Sequence, residues 1–252
     1  MRLGKPSFIY CRKSFLADDM NKNITVLIYT PAMDENKKDC IASAKLLTDN
    51  IIFVSPDSSY VETVREFGIK QARTNWVLIL DADERITREL AEEIKKIIES
   101  RSFTSYKIPR KNVFGGNWLL HGGWWPDYQI RLINKKFFKG WPKRIHSTPR
   151  IVGAVGHLKN PIVHLFHGDI AAMVNKTAVF ENVEADLLFR AGRPVNIPTF
   201  FRKYFAELWR RLIKGVGFLD GPFGIIESIY QAYSKTITQL FLYEKKQKGK
   251  SL

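Results

Sequence analysis

Two aspartates stand directly after an apolar run, at the point where a buried strand would end. The run is Trp76–Leu80 (WVLIL), and Asp81-Ala82-Asp83 follows it without a break. Ligands of open α/β sheets bind outside the carboxyl ends of the strands, and hard divalent cations take carboxylate oxygens together with phosphate oxygens. The pattern indicates a metal that holds a diphosphate group. The competing interpretation is an ordinary strand end that turns into a helix.

A single carboxylate occupies the next part of the chain, which is otherwise basic and aromatic. Asp127 is the only acidic residue between Arg101 and Asn160, a stretch with 12 Lys or Arg and four of the six Trp. Aromatic faces and glycines suit the close approach of a ligand, and a lone carboxylate there could act as a general base for a hydroxyl group. Because Pro-Asp also favours turns, a turn residue is the alternative for Pro126-Asp127.

The five histidines give a weaker signal. No pair has the i, i+4 helical spacing of a zinc site. His164 and His167 stand at the end of an apolar run, where they could bind a metal or serve as structural residues. The chain lacks the G-x-S-x-G, P-loop and G-x-G-x-x-G motifs, so no motif favours a serine hydrolase, a P-loop enzyme or a dinucleotide-binding domain.

Strands and helices are predicted to alternate through the first hundred residues. Short β-branched apolar runs favour strands, and apolar residues at i, i+3 and i+4 favour helices. Such alternation predicts an α/β fold with a doubly wound, mostly parallel sheet. The predicted strands are Ile24–Thr30, Asn50–Val54, Trp76–Leu80, Tyr128–Asn134 and Ile162–Phe166, and the predicted helices are Glu35–Leu47, Ser59–Phe67 ending at Gly68, Thr87–Ser100 capped by Thr87, and residues 170–190.

The C-terminal part combines large aromatics with basic residues. Residues 199–213 (TFFRKYFAELWRRLI) repeat apolar pairs every four residues and place Arg, Lys and Glu on the opposite face, which is typical of an interfacial helix. A last amphipathic helix is predicted near Pro222–Tyr243. Residues 201–252 carry a net charge of +6, and each basic residue near an anionic surface adds about 1 kcal/mol. We therefore expect this part to bind an anionic membrane surface, with packing against the domain as the alternative.

Composition narrows the class of protein. A chain of 252 residues forms one large domain, or one domain with an appendage, and 45% hydrophobic with 26% charged residues exclude disorder. The excess of 40 Lys and Arg over 25 Asp and Glu gives +15, which favours nucleic acid, phosphorylated small molecules or an anionic membrane as partner. Because RRM, KH, helix-turn-helix and zinc signatures are missing, we expect no nucleic-acid partner. Two cysteines exclude a disulfide framework.

Several segments, taken in order, resemble family 2 glycosyltransferases. ITVLIYTPAMDE resembles their opening strand, and WVLILDADERI resembles their metal-binding strand end. GGWWPDYQIRLIN, IHS, IVHLFH and GFLDGPFG are similar to the branch of lipopolysaccharide core β-glucosyltransferase-like proteins. The resemblance extends over residues 23–245, and the order of the pieces is more specific than any one of them.

The resemblance implies a GT-A fold, a nucleoside-diphosphate sugar donor such as a UDP-hexose, and inverting transfer to a lipid-linked or lipopolysaccharide-core acceptor. It implies Mg²⁺ or Mn²⁺ as the cofactor, bound by Asp83 and Asp81, and Asp127 as the catalytic base. By the same resemblance, donor contacts fall on Pro31, Glu35, Asp57, Asp81 and Arg131, and acceptor contacts fall on Trp124, Trp125 and His146.

Departures from the family pattern keep a second function open. The predicted second strand continues into VSPDSSYVET instead of an acidic loop, a further strand is absent after Gly68, and Ser147 stands where the family has Glu. The alternative is a degenerate, weakly active or inactive member that binds a glycolipid or a protein partner.

The predicted organisation follows these roles along the chain. Residues 1–23 are an extension, residues 24–195 a transferase domain with a nucleotide-sugar half (24–100) and an acceptor half (101–195), and residues 196–252 membrane-associating helices with a basic tail. The chain shows neither the apolar run of a signal peptide nor a charge-free stretch long enough to span a bilayer. The expected location is therefore peripheral, on the cytoplasmic face of the inner membrane.

Overall fold

The computed structural model of the protein describes residues 23–30, 37–55, 62–100, 102–142, 147–166 and 170–248. The chain divides into two compact units. Unit 1 holds the chain up to Lys111 together with Asp127–His164, and unit 2 holds Asn112–Pro126 and the chain from Leu165 onwards. The domains predicted from the sequence were continuous segments assigned by expected function. The two units are instead defined by packing in space, and each contains separate segments of the chain.

Unit 1 is built on short strands that alternate with helices in its first half. The predicted strand ends are reproduced within one or two residues. In chain order the elements are β1 (Ile24–Tyr29), α1 (Lys37–Ala44), β2 (Ile51–Val54), α2 (Glu62–Gln71), β3 (Trp76–Asp81), β4 (Glu84–Arg85), α3 (Arg88–Ser100), β5 (Ser105–Phe114), β6 (Asn117–Trp118, in unit 2), β7 (Asp127–Asn134), β8 (Phe138–Gly140), β9 (Arg150–Ile151), β10 (Val155–His157) and β11 (Ile162–Leu165).

The main sheet is parallel around β1 and mixed around β5, where β10 runs parallel and β6 and β7 run antiparallel. Its strand order is β2-β1-β3-β7-β5-β11-β4, with β10 and β6 pairing to β5. β1 runs parallel to both β2 and β3, and β7 runs antiparallel to both β3 and β5. β8 and β9 form a separate pair. The start of β7 therefore lies at the same edge of the sheet as the carboxyl end of β3.

Helices cover both faces of the parallel part of the sheet, because the side chains of β1 alternate between the faces. On one face Val26 and Ile28 pack with residues of α1 and α3, including Leu90. On the other face Leu27 and Tyr29 pack with residues of α2 and with Trp141. The predicted α/β class is confirmed, and the arrangement fits the GT-A-like fold that the resemblance implied.

The ends of three helices differ from the prediction, since α1 ends at Ala44 and not Leu47, the last helix ends at Lys248 and not Tyr243, and α2 passes the glycine that was expected to end it. Helix α2 runs through Gly68 to Gln71, whereas the sequence predicted its end at Gly68. A Cβ atom at Gly68 would lie 2.6 Å from the Tyr29 hydroxyl oxygen and 3.0 Å from a methyl carbon of Val54. This glycine is therefore required for close packing of α2 on β1 and β2, and it does not end the helix. Strand β3 begins five residues after α2 ends, at Trp76.

Unit 2 is mainly helical. Its elements after β11 are α4 (Ile170–Arg190), α5 (Ile197–Leu208), a π-helical turn (Trp209–Lys214), a 3-10 turn (Gly217–Asp220) and α6 (Gly221–Lys248). Asn196 caps α5, since its side-chain oxygen accepts a hydrogen bond from the Thr199 amide. The predicted C-terminal helices are confirmed. Within the described residues, each helix is too short or too polar to cross a bilayer.

Candidate functional site

The carboxyl end of β3 carries a carboxylate that two arginines hold. Asp81 accepts a hydrogen bond of 2.8 Å from Arg131 on β7, and Arg65 on α2 lies 3.2 Å from its other oxygen. Burial by itself raises the pKa of Asp81, but the charges of Arg131 and Arg65 outweigh it and hold this pKa well below its usual range. This lowered pKa favours the ionised form of Asp81 at the edge of the sheet.

A network of ion pairs connects Asp81 on β3 to residues of β4, β5 and β7. Arg131 also donates to Glu84, 2.5 Å away, and the second Glu84 oxygen accepts from the Asp81 amide at 3.0 Å. Arg110 on β5 lies 3.7 Å from Glu84 and 2.5 Å from Asp127. Three carboxylates thus alternate with guanidinium groups, so that the buried charges are compensated one by one.

Asp127, the predicted base, lies at the first position of β7. Its Oδ2 accepts hydrogen bonds from Nε and Nη2 of Arg110, at 2.8 and 2.5 Å, and its Oδ1 accepts from Gln129 at 2.8 Å. The side chain is 17% exposed. Because β7 is antiparallel to β3, this carboxylate lies at the same edge as Asp81 and Asp83. The residue is thus not an isolated turn residue, since it pairs with Arg110 in the sheet register.

Asp83 lies just beyond the strand end and faces β11. Its side chain is 26% exposed, and one of its oxygens lies 3.6 Å from Nε2 of His164. Of the two roles considered for His164, metal ligand and structural residue, both fit this position. Within the described ranges, no group of three or more His, Cys, Asp or Glu side chains is placed to hold a metal ion.

The side chains at the strand end nevertheless match one feature of Mg²⁺ or Mn²⁺ sites. Mg²⁺ is usually bound through one or two carboxylates together with substrate phosphates, and seldom by a cage made of protein alone. Asp83 is placed to supply such a carboxylate, with His164 beside it. Asp81 fits less well as a metal ligand, because its oxygens already accept hydrogen bonds from Arg65 and Arg131. Arg131, predicted as a donor contact, is buried beneath the strand end with these carboxylates.

The predicted acceptor residues Trp124 and Trp125 belong to unit 2. The Trp124 ring packs 4.9 Å from the ring of Phe166, and the Arg211 guanidinium lies 4.9 Å from its centre. Trp125 meets Trp118 edge to face at 5.0 Å. Both indoles are half-buried, so each has part of its surface open to solvent.

The motif GFLDGPFG fixes the loop that precedes these tryptophans. Asp220 accepts hydrogen bonds from the His121 amide at 2.8 Å and pairs with His121 Nδ1 at 2.6 Å. The Gly122 amide donates to the Gly215 carbonyl at 2.7 Å. A Cβ atom at Gly217 would lie 2.8 Å from the Arg211 carbonyl oxygen, so the glycine permits two backbone segments to touch. The motif therefore has a structural role within unit 2.

Five residues singled out in the sequence lie outside the described residues, and their placement stays a prediction. They are Pro31, Glu35, Asp57, His146 and His167.

Two arginines of the network escaped the sequence analysis, which named Arg131 only through the family resemblance. Arg65 and Arg110 come from distant elements, and a chain with 40 Lys and Arg offers no local signal to select them. The available signal was topological, since a strand antiparallel to β3 must bring its first residues to the carboxyl end of β3.

A cavity of about 450 Å³ opens at the opposite edge of the unit 1 sheet. Its lining includes Trp76 at the start of β3 and Asn134 at the end of β7. None of the predicted site residues lines it, so this cavity is separate from the carboxylate network.

No protein-family model matches the chain. A Rickettsia typhi protein named uncharacterized glycosyltransferase is 26% identical over 253 residues, which cover 92% of this chain and 82% of the relative. A Rickettsia prowazekii protein with the same kind of name is 26% identical over 236 residues, covering 85% of this chain and 76% of the relative. One from Rickettsia conorii is 24% identical over 279 residues, covering 92% and 95%.

Among solved structures, residues 1–349 of Staphylococcus aureus TarS align with a TM-score of 0.42 and 12% identity, over 89% of this chain and 91% of that one. The same TarS segment in complex with UDP-GlcNAc aligns with a TM-score of 0.40 and 12% identity, over 89% and 92% of the two chains.

Proposed function

We propose that the protein is an inverting glycosyltransferase that moves a sugar, a hexose carried on UDP, to a lipid-linked or lipopolysaccharide-core acceptor. One observation carries the proposal. The antiparallel pairing of β7 with β3 brings Asp127 to the edge where Asp83 stands, and Arg110 and Glu84 connect the two regions. The names of the three rickettsial relatives support the same class of reaction.

Asp83 is proposed to bind the diphosphate of the donor through Mg²⁺ or Mn²⁺, with His164 as a second contact. When bound, such a cation neutralises the negative charge that develops on the leaving diphosphate. Asp81 is proposed to orient the donor, since Arg65 and Arg131 fix its carboxylate in one position. The ion pairs would then fix the side chains that contact the sugar nucleotide.

Asp127 is proposed to accept the proton of the acceptor hydroxyl. A sugar hydroxyl is a weak nucleophile, and its attack on the anomeric carbon from the face opposite the diphosphate requires a base within hydrogen-bond reach. Arg110 and Gln129 fix the orientation of the carboxylate. Arg110 must share Asp127 with the acceptor during the reaction, which makes it a positioning residue for the base.

The acceptor is proposed to contact the half-buried indoles of Trp124 and Trp125, because aromatic faces stack well on sugar rings. An acceptor joined to a lipid also requires the enzyme to work at a membrane. We therefore propose peripheral association with the cytoplasmic face of the inner membrane, through an anionic lipid surface.

Metal-dependent donor binding is the first test. The Asp83→Asn variant is expected to lose Mn²⁺-dependent binding of UDP-hexoses in calorimetry, because a neutral amide is a far weaker ligand for a hard cation. Asp49→Asn removes an exposed carboxylate elsewhere in unit 1 and should bind like the parent. Unchanged metal-dependent affinity in Asp83→Asn would contradict the assigned role.

The base is tested separately from the donor site. Asp127→Asn is expected to bind UDP-hexose normally but to transfer sugar to a lipopolysaccharide-core oligosaccharide about 10²–10⁴-fold more slowly. The measurement is the rate of UDP release with and without the oligosaccharide. Transfer at the parent rate would assign the base to another residue.

The same assays decide between the proposal and its alternative. A parent protein that binds the core glycolipid but no UDP-hexose, with Mg²⁺ or Mn²⁺ present, would be the degenerate glycolipid-binding member. Binding of the donor in a metal-dependent manner would exclude it.

A further inference from the structure

The C-terminal helix α6 buries several polar residues and exposes several large apolar ones, although it also buries Tyr230, Ala232 and Leu242. Five polar or acidic side chains of α6 are buried, namely Glu227, Ser228, Ser234, Thr238 and Gln239. Five large apolar side chains of the same helix are 39–44% exposed, namely Ile225, Ile226, Ile229, Tyr233 and Leu240. A helix that packs on a domain in water shows the opposite distribution.

Hydrogen bonds hold this polar interior together. Ser234 donates to Glu181 of α4 at 2.5 Å, and Thr238 donates to the other oxygen of the same carboxylate. The Tyr230 hydroxyl bonds to the Met173 carbonyl at 2.6 Å. Polar contacts therefore help to join α4 to α6, beside the apolar packing of Met173 with Tyr230, while large apolar side chains of α6 remain exposed. Hydroxyl-bearing side chains play this role between helices in lipid.

Helix α5 and its π-helical extension carry a second apolar surface. Phe201, Phe205, Trp209 and Ile213 follow one another at intervals of four residues, and all are 53–63% exposed. On the inner side Glu207 pairs with Arg211 at 2.7 Å, and Arg211 donates to the Gly122 carbonyl at 3.1 Å. The inward-facing charged side chains of this segment bind partners within unit 2. The four apolar side chains on the outer side therefore remain exposed.

The following turn extends the same chain segment with more apolar side chains. Phe218 is 46% exposed and Leu219 is 59% exposed, both on the 3-10 turn before α6. Exposed apolar residues scattered singly are normal on a protein surface, but contiguous runs indicate an interaction site. The exposed apolar side chains of these consecutive elements are therefore a candidate contact surface, which we call the C-terminal apolar surface. Its residues are Phe201, Phe205, Trp209, Ile213, Phe218, Leu219, Ile225, Ile226 and Ile229.

We propose that the C-terminal apolar surface is inserted into the hydrocarbon boundary of an anionic phospholipid bilayer. Basic side chains flank it, with Arg202, Lys203 and Lys214 exposed on α5 and its extension, which complements anionic head groups. Such helices lie in the plane of the membrane with their apolar face about 5–10 Å below the head groups. The proposal refines the proposed membrane association and rests on it, but it does not depend on sugar transfer.

Insertion makes a prediction that differs from electrostatic attachment. High salt screens charge attraction between the protein and the lipid, whereas apolar burial persists. The parent protein is expected to remain partly bound to vesicles of phosphatidylcholine with phosphatidylglycerol when the salt concentration is raised to about 0.5 M. The Arg202→Gln/Lys203→Gln variant should bind more weakly at low salt but keep this salt-resistant fraction.

The test is co-sedimentation with these vesicles. Phe205→Gln/Trp209→Gln is expected to lower the partition coefficient at least about 10-fold, since each aromatic side chain loses much of its transfer free energy. Val152→Gln, at an exposed apolar site in unit 1, is the matched control and should bind like the parent. Equal partitioning of the double variant and the parent would overturn the proposal.

Fluorescence keeps the test decisive if the double variant folds poorly. Trp209→Phe preserves an apolar side chain, and it should remain bound while losing a large part of the tryptophan quenching caused by brominated lipids. Unchanged quenching would show that Trp209 is not in the hydrocarbon, and the proposal would fail. It would also fail if analytical ultracentrifugation found a dimer in the parent that Phe205→Gln/Trp209→Gln dissolves, because a second copy of the chain would then cover the surface. Neither failure would alter donor binding at Asp83.

Discussion

The two units of the molecule bury charge in different ways. In unit 1 the buried Glu84 faces Arg131 and Arg110, so each negative charge has a positive neighbour. In unit 2 the buried Glu227 accepts a hydrogen bond from Gln231 at 2.7 Å, and Glu181 is met by hydroxyl groups. The buried Glu84 of unit 1 is therefore paired with guanidinium groups. In unit 2, Glu227 and Glu181 meet neutral hydrogen-bond donors, although Glu207 pairs with Arg210 and Arg211.

The same contrast holds for apolar residues. The strands and helices of unit 1 direct their aliphatic side chains inward, as with Leu27 and Ile94, which are fully buried. Helix α6 directs Ile225 and Ile229 outward and its serines inward. Burial of apolar surface drives folding in water, and the core of unit 1 follows this rule. The exposed apolar residues of α6 depart from it, and the proposed insertion into a bilayer would account for them.

The largest effect is expected where the charge compensation of unit 1 is broken. Arg131→Met removes the guanidinium that joins Asp81 to Glu84 and leaves both carboxylates at the strand end without it. Removing one partner of a buried ion pair typically costs about 3–5 kcal/mol. Chemical denaturation at pH 7 should show a loss of that size.

The control for this variant is Arg88→Met, at an exposed position at the start of α3. It should alter the free energy of unfolding by less than about 0.5 kcal/mol. If the free energy of unfolding fell by the same small amount in both variants, the ion-pair network would not stabilise unit 1. The contrast between the two units would then not hold.

The alternating elements of unit 1 could be predicted because each carries its own local signal. Val26 and Leu78 lie within β-branched or aliphatic runs, and Thr87 caps α3 as expected, since its hydroxyl oxygen accepts from the Leu90 amide at 3.1 Å. Asp81, Asp83 and Asp127 were selected from the sequence, because carboxylates are conspicuous beside an apolar run or within a basic stretch. Arg131 was named only through the family resemblance, and Arg65 and Arg110 were not selected, since ion pairing between α2, β3, β5 and β7 depends on how the chain closes in space.

The buried polar residues of α6 could not be predicted for a related reason. Ser228, Tyr230 and Thr238 lie among aliphatic residues, and the sequence shows only that the helix is amphipathic. Which side faces inward depends on the partner, here Glu181 of α4. The aromatic stripe of α5 was visible because its spacing of four residues is regular, whereas a polar interior has no comparable local signature.

Glu227 permits a finer test of how unit 2 buries charge. Burial raises its pKa from 4.5 to about 7, an effect that Gln231 and Arg211 oppose only in part. Because the pKa in the folded state lies above that in the unfolded state, the protonated form contributes stability below pH 4.5. That contribution is lost as the pH rises through about 7.

Glu227→Gln should remove this pH dependence, because glutamine keeps the shape and an oxygen acceptor for Gln231 but carries no charge. At pH 8.5 the variant is expected to be more stable than the parent by up to about 3 kcal/mol, and at pH 4.5 the two should be nearly equal. Denaturant unfolding at both pH values, followed by a probe in unit 2, measures the difference. Glu244→Gln, on the exposed side of the same helix, should give no stabilisation at either pH, because that carboxylate is exposed and pairs with Lys248. If Glu227→Gln were equally destabilising at both pH values, Glu227 would be an ionised and well-compensated group. Unit 2 would then bury charge as unit 1 does.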